Sequence, residues 1–136
     1  MNFKGKIMFQ HICLDIEFEP ESKVATYFIQ ALPITSKANN IGGEIYFRVP
    51  GADIEYDGTE TEEFQPGDVV YWRSPDGEKK FSIALLYGNT SFSNWTSSRT
   101  SSPCIKIGRI TTDTNLLKTV TTNESVTISI DNSNIL

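Results

Sequence analysis

One stretch in the middle of the chain narrows the possible folds more than any other, Ile41-Gly42-Gly43-Glu44-Ile45-Tyr46-Phe47-Arg48-Val49-Pro50-Gly51. From Glu44 to Val49 polar and apolar side chains alternate, the period of a half-buried strand. Ile45, Phe47 and Val49 share one face, and Glu44, Tyr46 and Arg48 the other. Pro50-Gly51 then stops the run, because proline cannot donate to a ladder and glycine favours a turn. Pro66-Gly67-Asp68 is a further turn, Val69 to Trp72 a second strand, Ser74 to Gly77 a hairpin-type turn, and Lys80 to Tyr87 a third strand. Short strands separated by such turns are the grammar of a small closed β-barrel. The alternation puts Arg48 on a face where its charge must meet solvent or a ligand.

The flanking segments fit the same architecture. Lys6 to Gln10 and Ile12 to Phe18 read as a hairpin or one bent strand, with Ile12, Leu14, Ile16 and Phe18 on one face. Val24, Tyr27, Phe28 and Ala31 follow the stripe of an amphipathic helix. Pro20 suits its first turn, Glu21 complements its N-terminal dipole, and Leu32-Pro33 ends it. Ile34 to Asn40 reads as a loop. Asp53 to Phe64 reads as an exposed acidic excursion with a short edge strand at Ile54 to Tyr56. Gly88 to Pro103, rich in Ser, Thr and Asn, reads as a long loop of the kind that often carries function. Ile105 to Ile110 is a strand, Asn115 to Val120 a short helical turn capped by Asp113 or Thr114, and Val126, Ile128 and Ile130 belong to a last strand. Residues 1–136 form one domain, mostly β, with about eight strands, and the tail 131–136 is expected to fray.

Composition removes several function classes. A formal charge of −5 and a pI near 4.8 argue against a nucleic-acid backbone or an anionic membrane as partner. No charged region precedes an apolar stretch at the N-terminus, and no run of 18 apolar residues occurs, so a cytoplasmic protein is expected. Asn94 and Asn123 match glycosylation acceptors, which carry no meaning without secretion. Cys13 and Cys104 lie in strand-like runs and read as two buried small hydrophobes.

The residues able to carry chemistry are few. Arg48 is the first candidate: a charged donor on the outer face of a barrel strand can meet a ligand. The plainer alternative is an exposed arginine paired with Glu44, four residues earlier on the same face, or with a neighbouring strand. Tyr46 shares that face and either lines a groove or is a half-buried strand tyrosine. Trp95 sits in the polar loop and either plugs the barrel or offers its ring to a ligand; Asn89 and Thr90 follow Gly88 and either bind or bond within a turn. Trp72 ends an apolar strand and is assigned to the core. Asp53-x-Glu55-x-Asp57-Gly58 resembles the start of a calcium loop, but Phe64 stands where a bidentate acid is needed, so a solvated acidic face is the better reading. His11 and Cys13 point the same way, yet two ligands do not make a metal site. No serine–histidine, cysteine–histidine or zinc spacing occurs, and neither metal nor cofactor is expected.

Two stretches carry a family resemblance. Cys104-Ile-Lys-Ile-Gly108-Arg109-Ile110, a short helix ending at Val120 and the strand Ser125 to Ile130 follow the order of the cyclophilin C-terminus. Leu32-Pro33, Ser36, Ala38-Asn39, Gly42, Glu44-Ile45-Tyr46-Phe47, Gly67-Asp68-Val69, Tyr71-Trp72 and Gly88-x-Thr90 resemble a small group of bacterial and archaeal cyclophilin-like proteins without an established activity. The resemblance spans roughly residues 5 to 130. It implies a closed eight-stranded cyclophilin-like barrel capped by one main helix and a short second one. True cyclophilins are peptidyl-prolyl isomerases whose catalytic arginine lies in Phe-His-Arg-aliphatic-aliphatic-Pro-Gly-Phe. Tyr46-Phe47-Arg48-Val49-Pro50-Gly51 is similar but one residue shorter, with Ala52 in place of the pocket phenylalanine. The strand Ile83 to Tyr87 lacks the Gln-Phe-Phe of those enzymes, Trp95 matches their tryptophan only loosely, and no histidine stands near Gly108. The expected function is therefore binding of a small molecule or peptide at a surface cleft near Glu44, Tyr46, Arg48, Asn89, Thr90 and Trp95. A divergent isomerase using Arg48 and a non-catalytic assembly domain are the alternatives.

Overall fold

A computed structural model describes residues 3–49, 58–74, 80–88 and 98–131. Among these, ten strands and one α-helix are present: β1 (Lys4–Met8), β2 (Cys13–Phe18), α1 (Lys23–Ala31), β3 (Ile34–Lys37), β4 (Asn39–Asn40), β5 (Glu44–Arg48), β6 (Thr61–Phe64), β7 (Asp68–Arg73), β8 (Phe81–Leu86), β9 (Ser98–Ile110) and β10 (Ser125–Ile130). A 3-10 helix spans Thr114–Thr119.

The order β3-β10-β1-β2-β9-β7-β8-β5-β4 begins and ends on neighbouring pieces of chain. β3 pairs with β10 and β4 pairs with β5, with Ala38 alone between them. Ala38 continues the ladder toward β10, donating to the Glu124 carbonyl at 2.8 Å and accepting from the Asn123 N–H at 2.8 Å. Residues 34–40 are thus one stave, kinked in the middle, and they close the sheet into a barrel. With β3 and β4 counted as one stave and β6 lying off the path, paired to β9, the ten strands make the expected eight staves.

The expected loop at Ile34 to Asn40 is therefore a strand. It escapes the alternation rule because its pairing rests on backbone bonds, with only Ile34 and Ala38 buried. The helix starts at Lys23 rather than near Pro20, because Ser22 caps it by accepting the Ala25 N–H at 3.1 Å. The acidic excursion holds a strand at Thr61–Phe64, while Ile54 to Tyr56 lie outside the described residues. Ser98 to Pro103, read as loop, extend β9 and pair with β6. Asp113 caps the 3-10 helix by accepting the Asn115 N–H at 3.0 Å. At the C-terminal end Asp131 still bonds, its N–H donating to the Lys4 carbonyl at 2.8 Å, so fraying does not begin there. Cys13 is exposed, against expectation, because Leu14, Ile16 and Phe18 take the inward positions of β2 and parity puts Cys13 outside.

Inward residues from every stave fill the barrel, among them Ile7, Leu14, Ile45, Phe47, Ile83 and Ile128. α1 adds Val24, Ala25 and Phe28, and the Phe28 ring lies 5.4 Å from that of Tyr71. A second, smaller cluster sits on the outside, built from Phe64, Val70, Ala84, Leu86 and Cys104, with Tyr46 and Trp72 against it. Strand parity explains it: Val69 and Tyr71 point in, so Val70 and Trp72 point out, and β6 lies over this outer face. Buried Asp68 ties β7 to β9 by accepting from Arg109 at 3.1 Å and the Gln65 N–H at 2.9 Å, with Lys106 at 3.3 Å.

Asn40 secures the closure. Its side-chain oxygen accepts from the Tyr87 hydroxyl at 2.7 Å and the Gly42 N–H at 3.1 Å, and its amide donates to the Val120 carbonyl at 2.8 Å. Gly42 and Gly43 follow, with φ of 84° and 78°, a left-handed pair that turns β4 directly into β5. Asn40→Ala leaves three polar groups to find new partners. We expect a loss of about 2–3 kcal/mol in urea unfolding, with Asn39→Ala nearly neutral. Equal losses for the two variants would show that Asn40 is not the fastening.

Candidate functional site

The outward residues of β5, β8 and β7 form ordered rows. Arg48 pairs across with Ser82, which pairs with Trp72; Tyr46 pairs with Ala84, which pairs with Val70; Glu44 pairs with Leu86. Small side chains at Ser82 and Ala84 leave a hollow between the larger ones. The result is a cleft of about 280 Å³ on the outer barrel face. Ala84, Ser82 and Cys104 line it together with Tyr46, Trp72 and Thr100, and Glu44 and Arg48 contribute from β5.

Arg48 is exposed and does not pair with Glu44. Four strand residues span about 13 Å, too far for an ion pair. Its guanidinium instead lies over Trp72, 5.7 Å from the ring centroid. Such a contact contributes about 0.5–1 kcal/mol at an exposed site. It holds the cation against the ring face at one end of the cleft. Tyr46 is half-buried against the outer cluster. Glu44, also half-buried, has its carboxyl pushed above the usual range by burial. Ser82 is 3% exposed, and its hydroxyl makes no hydrogen bond among the described residues. Burial pushes the Cys104 thiol up to about 12, with the charges of Glu44 and Glu62 adding to the shift against a hydrogen bond from Thr100 that lowers it.

The structure therefore brings together three of the sequence candidates, Glu44, Tyr46 and Arg48. Asn89, Thr90 and Trp95 lie outside the described residues, as do Asp53, Glu55 and Asp57 of the calcium-like run. Trp72 is a correction: it is half-buried, outside the barrel, and part of the cleft rather than the core. Sequence reasoning also missed Ser82, Ala84 and Cys104. The signal for them was present, since Ser82 and Ala84 are the small residues of one parity in a strand whose other parity reads Phe81, Ile83 and Leu85. No group of three potential metal ligands occurs among the described residues.

Two outcomes follow from these environments. Cys13 is exposed and Cys104 is buried with a thiol that stays protonated at neutral pH. Iodoacetamide should label Cys13 at least tenfold faster, read by peptide masses after digestion; equal rates would contradict the burial of Cys104. For Glu44 the folded protein holds a proton that the unfolded chain has released, so its contribution worsens as pH rises through the ordinary carboxylate range toward the raised value. Glu44→Gln should match the parent protein in thermal unfolding near pH 3 and exceed it at pH 7. A variant less stable at pH 7 would mean that a partner compensates the carboxylate.

No curated protein matches the chain. The solution structure of a hypothetical protein from Archaeoglobus fulgidus is similar, with 30% identity, a TM-score of 0.74, and coverage of 96% of this chain and 95% of that one. The sequence pattern of the cyclophilin-like family matches residues 4–129, nearly the whole barrel including β5, β8 and the cleft between them. The chain belongs to the cyclophilin-like family.

Proposed function

We propose that this protein binds a small molecule or short peptide in the outer-face cleft. The observation that carries this reading is the cleft floor. Ala84, Cys104 and the Trp72 ring form an apolar surface beside a buried, unpartnered serine hydroxyl and a half-buried carboxyl. Concave, mostly apolar sites with a few polar groups are where small ligands bind. Two free thiols agree with a reducing, cytoplasmic setting, and the archaeal relative with a prokaryotic one. Nucleic acid and membrane are not the partners this reading takes, given the acidic balance of the chain. No described helix is long and apolar enough to cross a membrane. An assembly domain without a ligand is less well supported, because assembly needs no such hollow.

A second reading, a divergent prolyl isomerase, is supported by the place of Arg48 at one end of an apolar cleft. Against it, β8 reads Phe81-Ser82-Ile83-Ala84-Leu85-Leu86, without the Gln-Phe-Phe of the isomerases. Screening a fragment library by amide chemical shifts tests the first reading. Shifts should concentrate on residues 44–48, 72 and 82–86, and shifts confined to other surfaces would overturn it. A proline-peptide assay separates the second: turnover that falls at least tenfold in Arg48→Ala would establish catalysis, and turnover no faster than background would remove it.

A further inference from the structure

The cleft is electrically two-ended. Glu44 and Arg48 stand on the same face of one strand, with Tyr46 between them. Four residues of strand put their backbones about 13 Å apart. Neither charge is neutralised by the other at that distance, and no ion pair is formed by either among the described residues. At the Glu44 end the carboxyl is half-buried and Glu62 adds its field at the same thiol, Cys104, so this end favours a cation. At the other end, the Arg48 guanidinium lies over the Trp72 ring, 5.7 Å from its centroid. A guanidinium carries a planar fork of N–H donors, and those not facing the ring can take a carboxylate bidentately. The row of Arg48 also contains Ser82, whose hydroxyl is buried without a hydrogen bond among the described residues. A buried hydroxyl left unpaired is costly, and a polar atom of a ligand next to the anionic group would satisfy it.

We infer that the cleft selects a short linear zwitterion: an ammonium group at Glu44, an apolar middle over Ala84 and Tyr46, a hydrogen-bonding amide at Ser82, and a carboxylate at Arg48. A free peptide has those groups in that order. Three extended residues span about 10 Å, and the reach of the Glu44 and Arg48 side chains covers the rest of the roughly 13 Å between their backbones. A cleft of about 280 Å³ matches a short ligand lying between its two charged ends. The ligand class is thus tripeptide-like with both termini free, distinct from an internal segment of a protein chain. The inference rests on the cleft being the binding site.

The test is calorimetric titration of the tripeptide Ala-Leu-Ala against its N-acetylated and C-amidated forms, with amide shifts followed in parallel. The free peptide should bind in the cleft. Acetylation should weaken binding at least tenfold in the parent protein and make no difference in Glu44→Gln. Amidation should weaken it at least tenfold in the parent protein and make no difference in Arg48→Gln. Ser82→Ala should weaken the free peptide while leaving both cap effects in place. Capped and free peptides binding equally, or a free peptide that does not bind, would overturn the inference. If neutral fragments still shift residues 44–48 and 82–86 in either of those cases, the cleft reading survives alone; if they do not, both fall.

Discussion

Everything on this barrel depends on the join made by residues 34–40. A sheet left open there would expose β10 on one side and β5 on the other, two edges ready to pair with other chains. The kinked stave satisfies both, half of it bonding β10 and half β5. The constraint reaches function through volume. An eight-stave barrel is just wide enough to be filled by its own side chains, and here Phe47, Tyr71, Phe28 and their neighbours fill it. The barrel interior is filled among the described residues, and the cleft beside Trp72 lies on the outer face.

β6 shapes that face. By pairing with β9 outside the barrel path, it gives Val70, Ala84, Leu86 and Cys104 an apolar neighbour, Phe64, on what would otherwise be a wet face. β7 and β8 are consequently apolar on both sides: β8 is buried at every position from Phe81 to Leu86. The cleft is the gap that this outer layer leaves between itself and β5. Two layers, one filling the barrel and one beside it, account for where the cleft is and for its apolar floor.

The same two layers decide how much could be read from residue order. β5 was legible because one of its faces meets the core and the other meets the cleft, so its alternation is clean. β8 and the first part of β7 show no alternation, since both faces are covered, and reading Trp72 as core followed from that. Residues 34–40 carry too few apolar side chains to announce a strand; their pairing is a property of β10 and β5, which lie far away in the chain. The polar run before Cys104 looked like a loop because its partner, β6, lies inside an acidic stretch with little strand signal of its own. Arg48 was placed on the correct face, but its partner depended on cross-strand register. The pairing of Arg48 with Ser82 and of Ser82 with Trp72 is what carries the guanidinium to the ring.

That register also bears on what the arginine can do. A guanidinium with an aromatic partner loses some freedom before any ligand arrives, so less entropy remains to be lost when it takes an anion. Glu44 is prepared in a different way. Its burial makes the charged form unfavourable by itself, so a cationic group that restores the charge gains more there than at an exposed carboxylate. One end of the cleft is thus organised by packing and the other by desolvation. Both lie on a single strand, whose spacing the closed barrel holds rigid.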